Sequence, residues 1–275
     1  MKTRVISSLA GIALLLVILT AFHKVTFNII AVIVYLISLW EIRGTFKEKN
    51  TDVVYVVLAV LGAYFLLQPY VPQVNHMFIV WFVMTAFAAA VVFNFHTIDF
   101  KNVSASLLFG IYVLMGFYSI LNMKTNMPYA TFGWDSTFMF ISCCTIAWGA
   151  DVFAYFAGYF FGKHKLAPTL SPKKTKEGAV GGTLLGVFCA FTTALVLNGM
   201  GVVKVDVAAM AIYSLIASII GQFGDLAMSS IKRIVGIKDY GTVFPGHGGI
   251  LDRFDSIMFV LPFTYLFTVF INSII

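Results

Sequence analysis

The sequence predicts an all-α, polytopic integral membrane protein with about nine transmembrane helices and a cytoplasmic N-terminus. Of its 275 residues, 60% are hydrophobic and only 11% are charged, and the mean hydropathy is +0.93. Soluble domains typically carry about 25% charged residues, so this composition excludes a soluble globular protein. Helices are the predicted spanning structure, because a helix satisfies its backbone polar groups within its own segment and the sequence lacks the alternation of a membrane β-barrel.

Nine apolar runs have roughly the 17 to 25 residues that cross a bilayer core. The first run follows a basic N-terminus, as a signal peptide does, but it is long enough to span and lacks a clear small-x-small cleavage site, so it is predicted to be a retained helix. The runs are Val5–Phe22, Phe27–Ile42, Val53–Tyr70, Met77–Phe95, Ser104–Leu121, Phe138–Phe161, Ala179–Asn198, Val207–Phe223 and Phe254–Ile271.

The distribution of basic residues sets the predicted orientation. With the N-terminus inside, fifteen of the eighteen lysines and arginines fall on the inner side, and only Lys24, Lys124 and Lys204 fall outside. This asymmetry follows the positive-inside rule and predicts an outside C-terminus. It also explains the net charge of +6 without nucleic acid as a partner. Since many inner-membrane proteins share the bias, it does not identify a function.

No linker, low-complexity tract or internal repeat divides the chain, so residues 1–275 are predicted to form a single membrane domain. Within it, residues 1–136 are N-terminal helices with few motifs, whereas residues 137–275 are predicted to be the catalytic C-terminal half. Cys143, Cys144 and Cys189 lie in apolar runs without a C-x-x-C pair, and they are interpreted as buried packing groups.

Carboxylates gather around the connection between the last two predicted spans. Asp252 and Asp255 are three residues apart at the predicted start of the last helix, on one helical face, where they could share a cation or simply cap the helix. Asp225 lies at the opposite border, at the end of the eighth span. Three converging carboxylates would repel one another unless a cation lay among them, and oxygen ligands without clustered His or Cys favour Mg²⁺ over zinc.

Basic residues surround these acids. Magnesium usually completes its coordination with water and substrate phosphates, and arginine can bind two phosphate oxygens at once. The basic residues therefore predict a phosphate-bearing substrate, although the positive-inside bias explains any single lysine equally well. They are Lys232, Arg233, Lys238 and Arg253.

A glycine-rich stretch, Pro245–Gly249, lies between the basic residues and the last helix. Its glycines, Gly248 and Gly249 among them, would let backbone N–H groups approach an anion, but a plain turn would have the same sequence. It is not a P-loop, since G-x-x-x-x-G-K-[ST] does not occur. His247 could bind a phosphate or shuttle a proton, whereas a lone histidine more often satisfies a local hydrogen bond.

Two further groups lie upstream. Asp151 falls inside the sixth span, where a carboxylate costs roughly 2.5 kcal/mol or more and usually faces a cavity or a partner; Tyr155, one turn later, could hydrogen-bond to it. Small residues recur at every fourth position from Ala150 to Gly162 and predict a close helix contact. The stretch Ser171–Gly178, predicted to be a loop that a proline holds extended, carries Lys173 and Lys174, which could clamp a triphosphate or only line the lipid surface.

These motifs together resemble one family. The stretch from Ser229 to Asp255 contains S-x-x-K-R, K-D-x-G and F-P-x-H-G-G-x-x-D-R-x-D, and it resembles the signature of the phosphatidate cytidylyltransferases, or CDP-diacylglycerol synthases. D-x-F-A-Y-F-x-G, S-P-K-K-T-x-E-G and G-Q-x-G-D-L upstream are similar to the same family. The resemblance is strong over the C-terminal half and general over the N-terminal half.

The resemblance implies a Mg²⁺-dependent reaction in which phosphatidic acid attacks the α-phosphate of CTP, giving CDP-diacylglycerol and pyrophosphate. In this interpretation Asp225 and Asp252 hold the metal, with a second cation conceivable, and Asp255 is a further ligand or support. Asp151 and Tyr155 lie where acyl chains enter, and a homodimer is the family expectation. The remaining predicted catalytic and phosphate-binding residues are Lys173, Lys174, Ser229, Lys232, Arg233, Lys238, His247, Gly248, Gly249 and Arg253.

Three other functions stay open on the sequence. A CTP-dependent polyprenol kinase would also need CTP and a metal in a membrane. An anionic-lipid transporter would use Asp151 and a basic inner vestibule but would not need a dense carboxylate cluster. A non-catalytic scaffold would leave the charged connection dispensable. The CDP-alcohol phosphotransferases are disfavoured because their D-G-x-x-A-R motif is absent.

Overall fold

The computed structural model describes residues 24–46, 52–70, 75–96, 99–126, 136–201, 206–243 and 248–274. These residues form eight α-helices, one short 3₁₀ turn (Gln68–Tyr70) and two short strands, which confirms the predicted helical membrane class. The helices are α1 (Lys24–Phe46), α2 (Asp52–Leu67), α3 (His76–Phe93), α4 (Phe100–Asn126), α5 (Ser136–Phe161), α6 (Lys176–Gly199), α7 (Val207–Val235) and α8 (Leu251–Ile274); the strands are β1 (Lys165–Ala167) and β2 (Ser171–Thr175).

Six of these helices are long and apolar enough to cross a membrane: α1, α4, α5, α6, α7 and α8. Two shorter apolar segments, Val54–Tyr70 and Met77–Phe93, coincide with the third and fourth predicted spans. The first predicted span, Val5–Phe22, lies outside the described residues. The count of nine spans and the cytoplasmic N-terminus therefore stay predictions.

The chain divides into two compact units. The first contains the described parts of Met1–Leu121 and Ile237–Arg253, and the second those of Asn122–Gly236 and Phe254–Ile275. The first turn of α8 thus belongs to the first unit and the rest of that helix to the second. The predicted distinction between residues 1–136 and 137–275 stays a prediction.

A core of aromatic and aliphatic side chains holds the first unit together. Tyr35 on α1 is fully buried, and its hydroxyl donates to the carbonyl oxygen of Leu58 on α2 at 3.1 Å. Its ring also meets Phe117 on α4 edge to face, with ring centroids 5.9 Å apart. A buried hydrogen bond of 3.0 Å joins Tyr55 on α2 to Ser106 on α4. These contacts fix α1, α2 and α4 against one another.

In the second unit, α5 makes the close helix contact that its small residues predict, and the structure shows that its partner is α6. Gly178, Gly182 and Gly186 repeat every four residues along one buried face of α6. A Cβ atom on Gly182 would lie only 2.6 Å from the carbonyl oxygen of Ala150 and 2.8 Å from the Cβ of Ala154. The two backbones therefore approach too closely for larger side chains, as is usual for helices that associate in a membrane.

Gly182→Ala is expected to destabilise the protein by about 1–3 kcal/mol, because the added methyl group overpacks the contact with α5. Gly199→Ala on the same helix is the matched control, since a Cβ atom there would meet nothing within 4 Å. Thermal unfolding in detergent should show a lower midpoint for the first variant and an unchanged or higher midpoint for the second. Equal midpoints for the two variants would contradict the close contact.

The predicted end of the eighth span is wrong. Helix α7 continues through the polar stretch after Phe223 and ends at Val235, so Asp225 lies ten residues before the end of the helix rather than at its border. Hydropathy falls where polar residues begin, but the backbone stays helical until Gly236 adopts the left-handed conformation, with φ of 77°. Its amide N–H contacts the carbonyl oxygens of Lys232 and Arg233 at the end of the helix.

The expected extended loop from Ser171 to Gly178 is part of a β-hairpin and a helix start. Strand β2 pairs antiparallel with β1, with Lys165 opposite Thr175, and α6 begins directly afterwards. Pro172 is compatible with a strand that has a partner on one side only. Thr175 caps α6, since its hydroxyl oxygen accepts the amide hydrogen of Gly178 at 3.1 Å. This hairpin is an addition to the predicted all-α architecture.

Candidate active site

The hairpin brings Lys174 to Asp225. The lysine ammonium forms an ion pair with the Asp225 carboxylate on α7, and the hydroxyl of Ser229, one turn later, donates to the other carboxylate oxygen at 3.4 Å. The two charged side chains are only 25% and 19% exposed, so water screens their attraction less than it would on an open surface. A predicted metal ligand and two predicted phosphate-binding residues therefore lie together.

Asp225 is one of three neighbouring carboxylates that come from three helices. Asp151 on α5 and Asp255 on α8 each interact electrostatically with Asp225 and with one another. The Asp151 carboxylate also accepts a hydrogen bond from the hydroxyl of Ser256 at 3.4 Å. We refer to Asp151, Asp225 and Asp255 as the acidic cluster. Because like charges repel, nearby cations would stabilise the ionised form of the cluster.

Two lysines supply positive charge to the acidic cluster. Lys174 interacts with Asp151 as well as Asp225, and Lys232 interacts with Asp255. Lys232 is only 9% exposed, and a buried lysine is rarely found without acidic partners. The other predicted phosphate-binding cations, Lys173, Arg233, Lys238 and Arg253, are exposed. Two of the predicted cations therefore interact with the acidic cluster, and the other four have exposed side chains.

The donor chemistry of the acidic cluster fits a hard divalent cation. Carboxylate oxygens and the Ser229 hydroxyl are oxygen donors, which Mg²⁺ prefers over the nitrogen and sulfur donors typical of zinc sites. Within the described ranges, no three His, Cys, Asp or Glu side chains are already arranged as a metal site. The Lys174 ammonium is the cation that contacts the Asp225 carboxylate in this structure.

Asp252 belongs to the first unit and lies in the first turn of α8, close to its predicted position. One of its carboxylate oxygens accepts the amide hydrogens of Tyr240 at 2.8 Å and Gly249 at 2.9 Å. Gly248 has a positive φ of 83°, and a Cβ atom on it would lie 2.8 Å from the same oxygen. Asp252 therefore organises the chain that leads into α8, and its negative charge suits the N-terminal end of that helix.

Some predicted features of the site stay predictions. Asp225 and Asp252 belong to different units, so their convergence on a shared cation is not established. His247 lies outside the described residues. Tyr155 is 67% exposed and stacks with Tyr159 at a centroid distance of 6.4 Å, whereas Ser256 is the hydrogen-bond partner of Asp151. The expected bond from Tyr155 to Asp151 is not formed, and its place beside entering acyl chains stays a prediction.

The structure also identifies a carboxylate that the sequence interpretation missed. Glu41 on α1 is 1% exposed, and its two carboxylate oxygens accept the amide hydrogens of Ile250 at 2.8 Å and Leu251 at 2.9 Å. All three residues lie in the first unit. Glu41 could have been found from the sequence, because it is an acid inside an apolar run, as Asp151 is.

Comparison of the sequence with known proteins identifies its family. Residues 2–271 match the family described as the Cytidylyltransferase family. A protein of Bacillus subtilis (strain 168) named phosphatidate cytidylyltransferase is 32% identical over 271 residues, which are 96% of each chain. Proteins of the same name from Staphylococcus aureus (strain COL) and Staphylococcus epidermidis are 48% and 45% identical over 117 residues, covering 42% of this chain and 44% of each relative. The chain therefore belongs to the cytidylyltransferase family.

Proposed function

We propose that this protein transfers CMP from CTP to phosphatidic acid, which gives CDP-diacylglycerol and pyrophosphate. An oxygen of the lipid phosphate bonds to the α-phosphorus of CTP, and the bond from that phosphorus to the oxygen bridging to the β-phosphate breaks. The observation that carries this proposal is the relationship over 96% of the chain to a protein named for this activity. The apolar helices agree with a lipid substrate held in a membrane.

Asp225 and Asp252 are the proposed metal ligands, with Asp255 as a further ligand or support. Mg²⁺ held by these residues, or two cations, would position the phosphates and offset the charge on the leaving pyrophosphate. The attacking phosphate is already an anion, so the reaction does not need a general base. His247 is accordingly proposed to contact phosphate rather than to remove a proton.

Lys174 and Lys232 are proposed to bind phosphate oxygens beside the acidic cluster. Their partial burial supports this role, because charges attract more strongly where less water screens them. Lys174 bridges the hairpin and α7, so a nucleotide phosphate could exchange with Asp225 as its partner. The exposed cations Lys173, Arg233, Lys238 and Arg253, with Ser229 and the Gly248–Gly249 backbone, are proposed as outer phosphate contacts.

The site is proposed to face the cytoplasm, where the basic connections are predicted to lie and where CTP is available. Acyl chains would remain in the lipid, entering near Asp151 and Tyr155. The net charge of +6 is proposed to serve anionic head groups and phosphates rather than nucleic acid. A homodimer is proposed as the assembly.

Product analysis with purified protein in detergent tests the activity. The reaction mixture contains phosphatidic acid, Mg²⁺ and CTP labelled at the α-phosphate. The expected result is label in a lipid and release of unlabelled pyrophosphate. Labelled CDP together with a phosphorylated polyprenol, when that lipid is supplied, would instead establish a kinase. A folded protein that turns over neither lipid would favour transport or a scaffold.

Lys174→Met is expected to lower kcat/KM for CTP by about 100-fold, because it removes a partly buried cation at the proposed phosphate site. Lys165→Met is the matched control, since this exposed lysine lies on the other strand of the same hairpin, and it should change kcat/KM by less than about threefold. Steady-state kinetics with varied CTP measures both. Equal losses for the two lysines would indicate a diffuse surface charge instead of a specific contact.

A further inference from the structure

We propose that Glu41 is a positioning residue for the reaction: it holds the chain entering α8 so that the Asp252 carboxylate keeps its place. The inference rests on the proposed function, in which Asp252 takes part in CTP chemistry. It concerns a residue of α1, which lies well before Asp151, the first residue of the motifs that carry the family resemblance.

The first line of support is the hydrogen bonding of Glu41. The first N–H groups of a helix have no partner within the helix and need an acceptor from elsewhere. At α8, each oxygen of Glu41 accepts one of these N–H groups, from Ile250 and from Leu251. A negative charge also suits the positive end of the helix dipole. Glu41 is therefore an N-terminal cap that another helix supplies to α8.

The second line of support is the close fit around the carboxylate. A Cβ atom on Gly241 would lie 2.5 Å from one Glu41 oxygen, and a Cβ atom on Gly249 would collide with the same oxygen. Both glycines are also close to the groups that donate to the Asp252 carboxylate. Gly241 follows the donor Tyr240 in sequence, and Gly249 is the other donor. Glu41 and Asp252 thus accept hydrogen bonds from the same short segment, residues 249–251.

The arrangement requires a carboxylate of this length. Two acceptor oxygens meet two amide donors, whereas glutamine offers one acceptor and would direct an NH₂ group at the second donor. Aspartate keeps both acceptors but is one methylene shorter. A side chain that served only to fill space would tolerate glutamine, because glutamine has nearly the same shape.

The test compares Glu41→Gln with Asn28→Leu as its control. Asn28 lies on the same helix, is fully buried and donates to the carbonyl oxygen of Leu66 at 3.2 Å, in a hydrogen bond that does not involve residues 240–252. Folded fraction, kcat, KM for CTP and the Mg²⁺ concentration at half-maximal rate are measured for each variant. Glu41→Gln should lower kcat, raise the Mg²⁺ requirement, or both, by about 10–100-fold per folded molecule. Asn28→Leu should lower stability only.

A second measurement does not depend on activity. Hydrogen–deuterium exchange of a peptide that contains residues 248–252 should be about tenfold faster or more in Glu41→Gln, since hydrogen bonds to a charged acceptor are lost. The same peptide should exchange at the wild-type rate in Asn28→Leu. If the wild type made no CDP-diacylglycerol, the proposed function would fail, and the exchange data would still show whether Glu41 holds this segment.

Gly241→Ala provides a variant that leaves Glu41 in place. Its methyl group should displace the Glu41 carboxylate and reproduce the kinetic loss of Glu41→Gln. In the double variant with Glu41→Ala, the same methyl group should cause little further kinetic loss. The expected result is therefore that the losses from Gly241→Ala and Glu41→Ala do not add. Gly241→Ala in the wild type also tests the proposal if Glu41→Gln does not fold. The proposal is overturned if Glu41→Gln behaves like Asn28→Leu, or if the losses from Gly241→Ala and Glu41→Ala simply add.

Discussion

Asp225→Asn is expected to reduce CDP-diacylglycerol formation on the order of 1,000-fold, the scale of losing a principal electrostatic contact in an active site. Asparagine keeps the shape of the side chain and can still accept from Ser229, but it lacks the charge that pairs with Lys174 and that would hold a divalent cation. The measurement is the single-turnover rate with labelled CTP at the Mg²⁺ concentration that saturates the wild type. Raising the Mg²⁺ concentration should recover only part of the rate.

Asp206→Asn is the matched control on the same helix. Asp206 caps the other end of α7, where its carboxylate accepts the amide hydrogen of Ala209 at 2.7 Å, and asparagine caps a helix about as well. Its rate and stability should therefore remain close to those of the wild type. Similar rates for Asp225→Asn and Asp206→Asn would exclude Asp225 from the reaction.

Asp252→Asn is expected to abolish measurable turnover, with a loss on the order of 1,000-fold or more. The carboxylate is the proposed ligand for the cation, and the structure gives it a second role as acceptor for Tyr240 and Gly249. Asparagine retains one oxygen for these amides, so the fold should survive while the charge is lost. The assay follows lipid-linked CMP and pyrophosphate together with thermal unfolding.

Asp99→Asn is the control for this second substitution. Asp99 precedes α4 in the same unit, and it also accepts a backbone amide hydrogen, from Lys101 at 2.9 Å. Its side chain is exposed, so neutralisation should leave turnover unchanged. If Asp252→Asn lost stability but kept its rate per folded molecule, Asp252 would be a helix cap only.

The membrane class and most helix positions could be predicted from the sequence, because each span carries its apolar signal within its own residues. A close helix contact on α5 could be predicted for the same reason, since small residues recur every four positions, but its partner α6 could not. The end of α7 could not be located from hydropathy. The polar side chains after Phe223 end the apolar run but leave the helix intact, and Gly236 ends it.

The chemistry of the site could be predicted in part from the sequence. The residue types around Asp225, Asp252 and Lys232 indicate a cation and phosphates wherever they lie in the fold. The contacts of these residues could not be predicted, because a cationic side chain that suits a phosphate suits a carboxylate equally well. Lys174 was predicted to meet a nucleotide, and in the structure it pairs with Asp225.

The amino-acid sequence indicates a helical membrane protein of a particular family, with the acids and bases of its motifs in the C-terminal half. The contact of Lys174 with Asp225, 51 residues away, and the capping of a helix by Glu41, 209 residues before it, are visible only in the folded chain. Hydropathy and motif spacing are local properties of the chain. Contacts between distant segments depend on how the helices pack, and a local sequence pattern does not predict that packing.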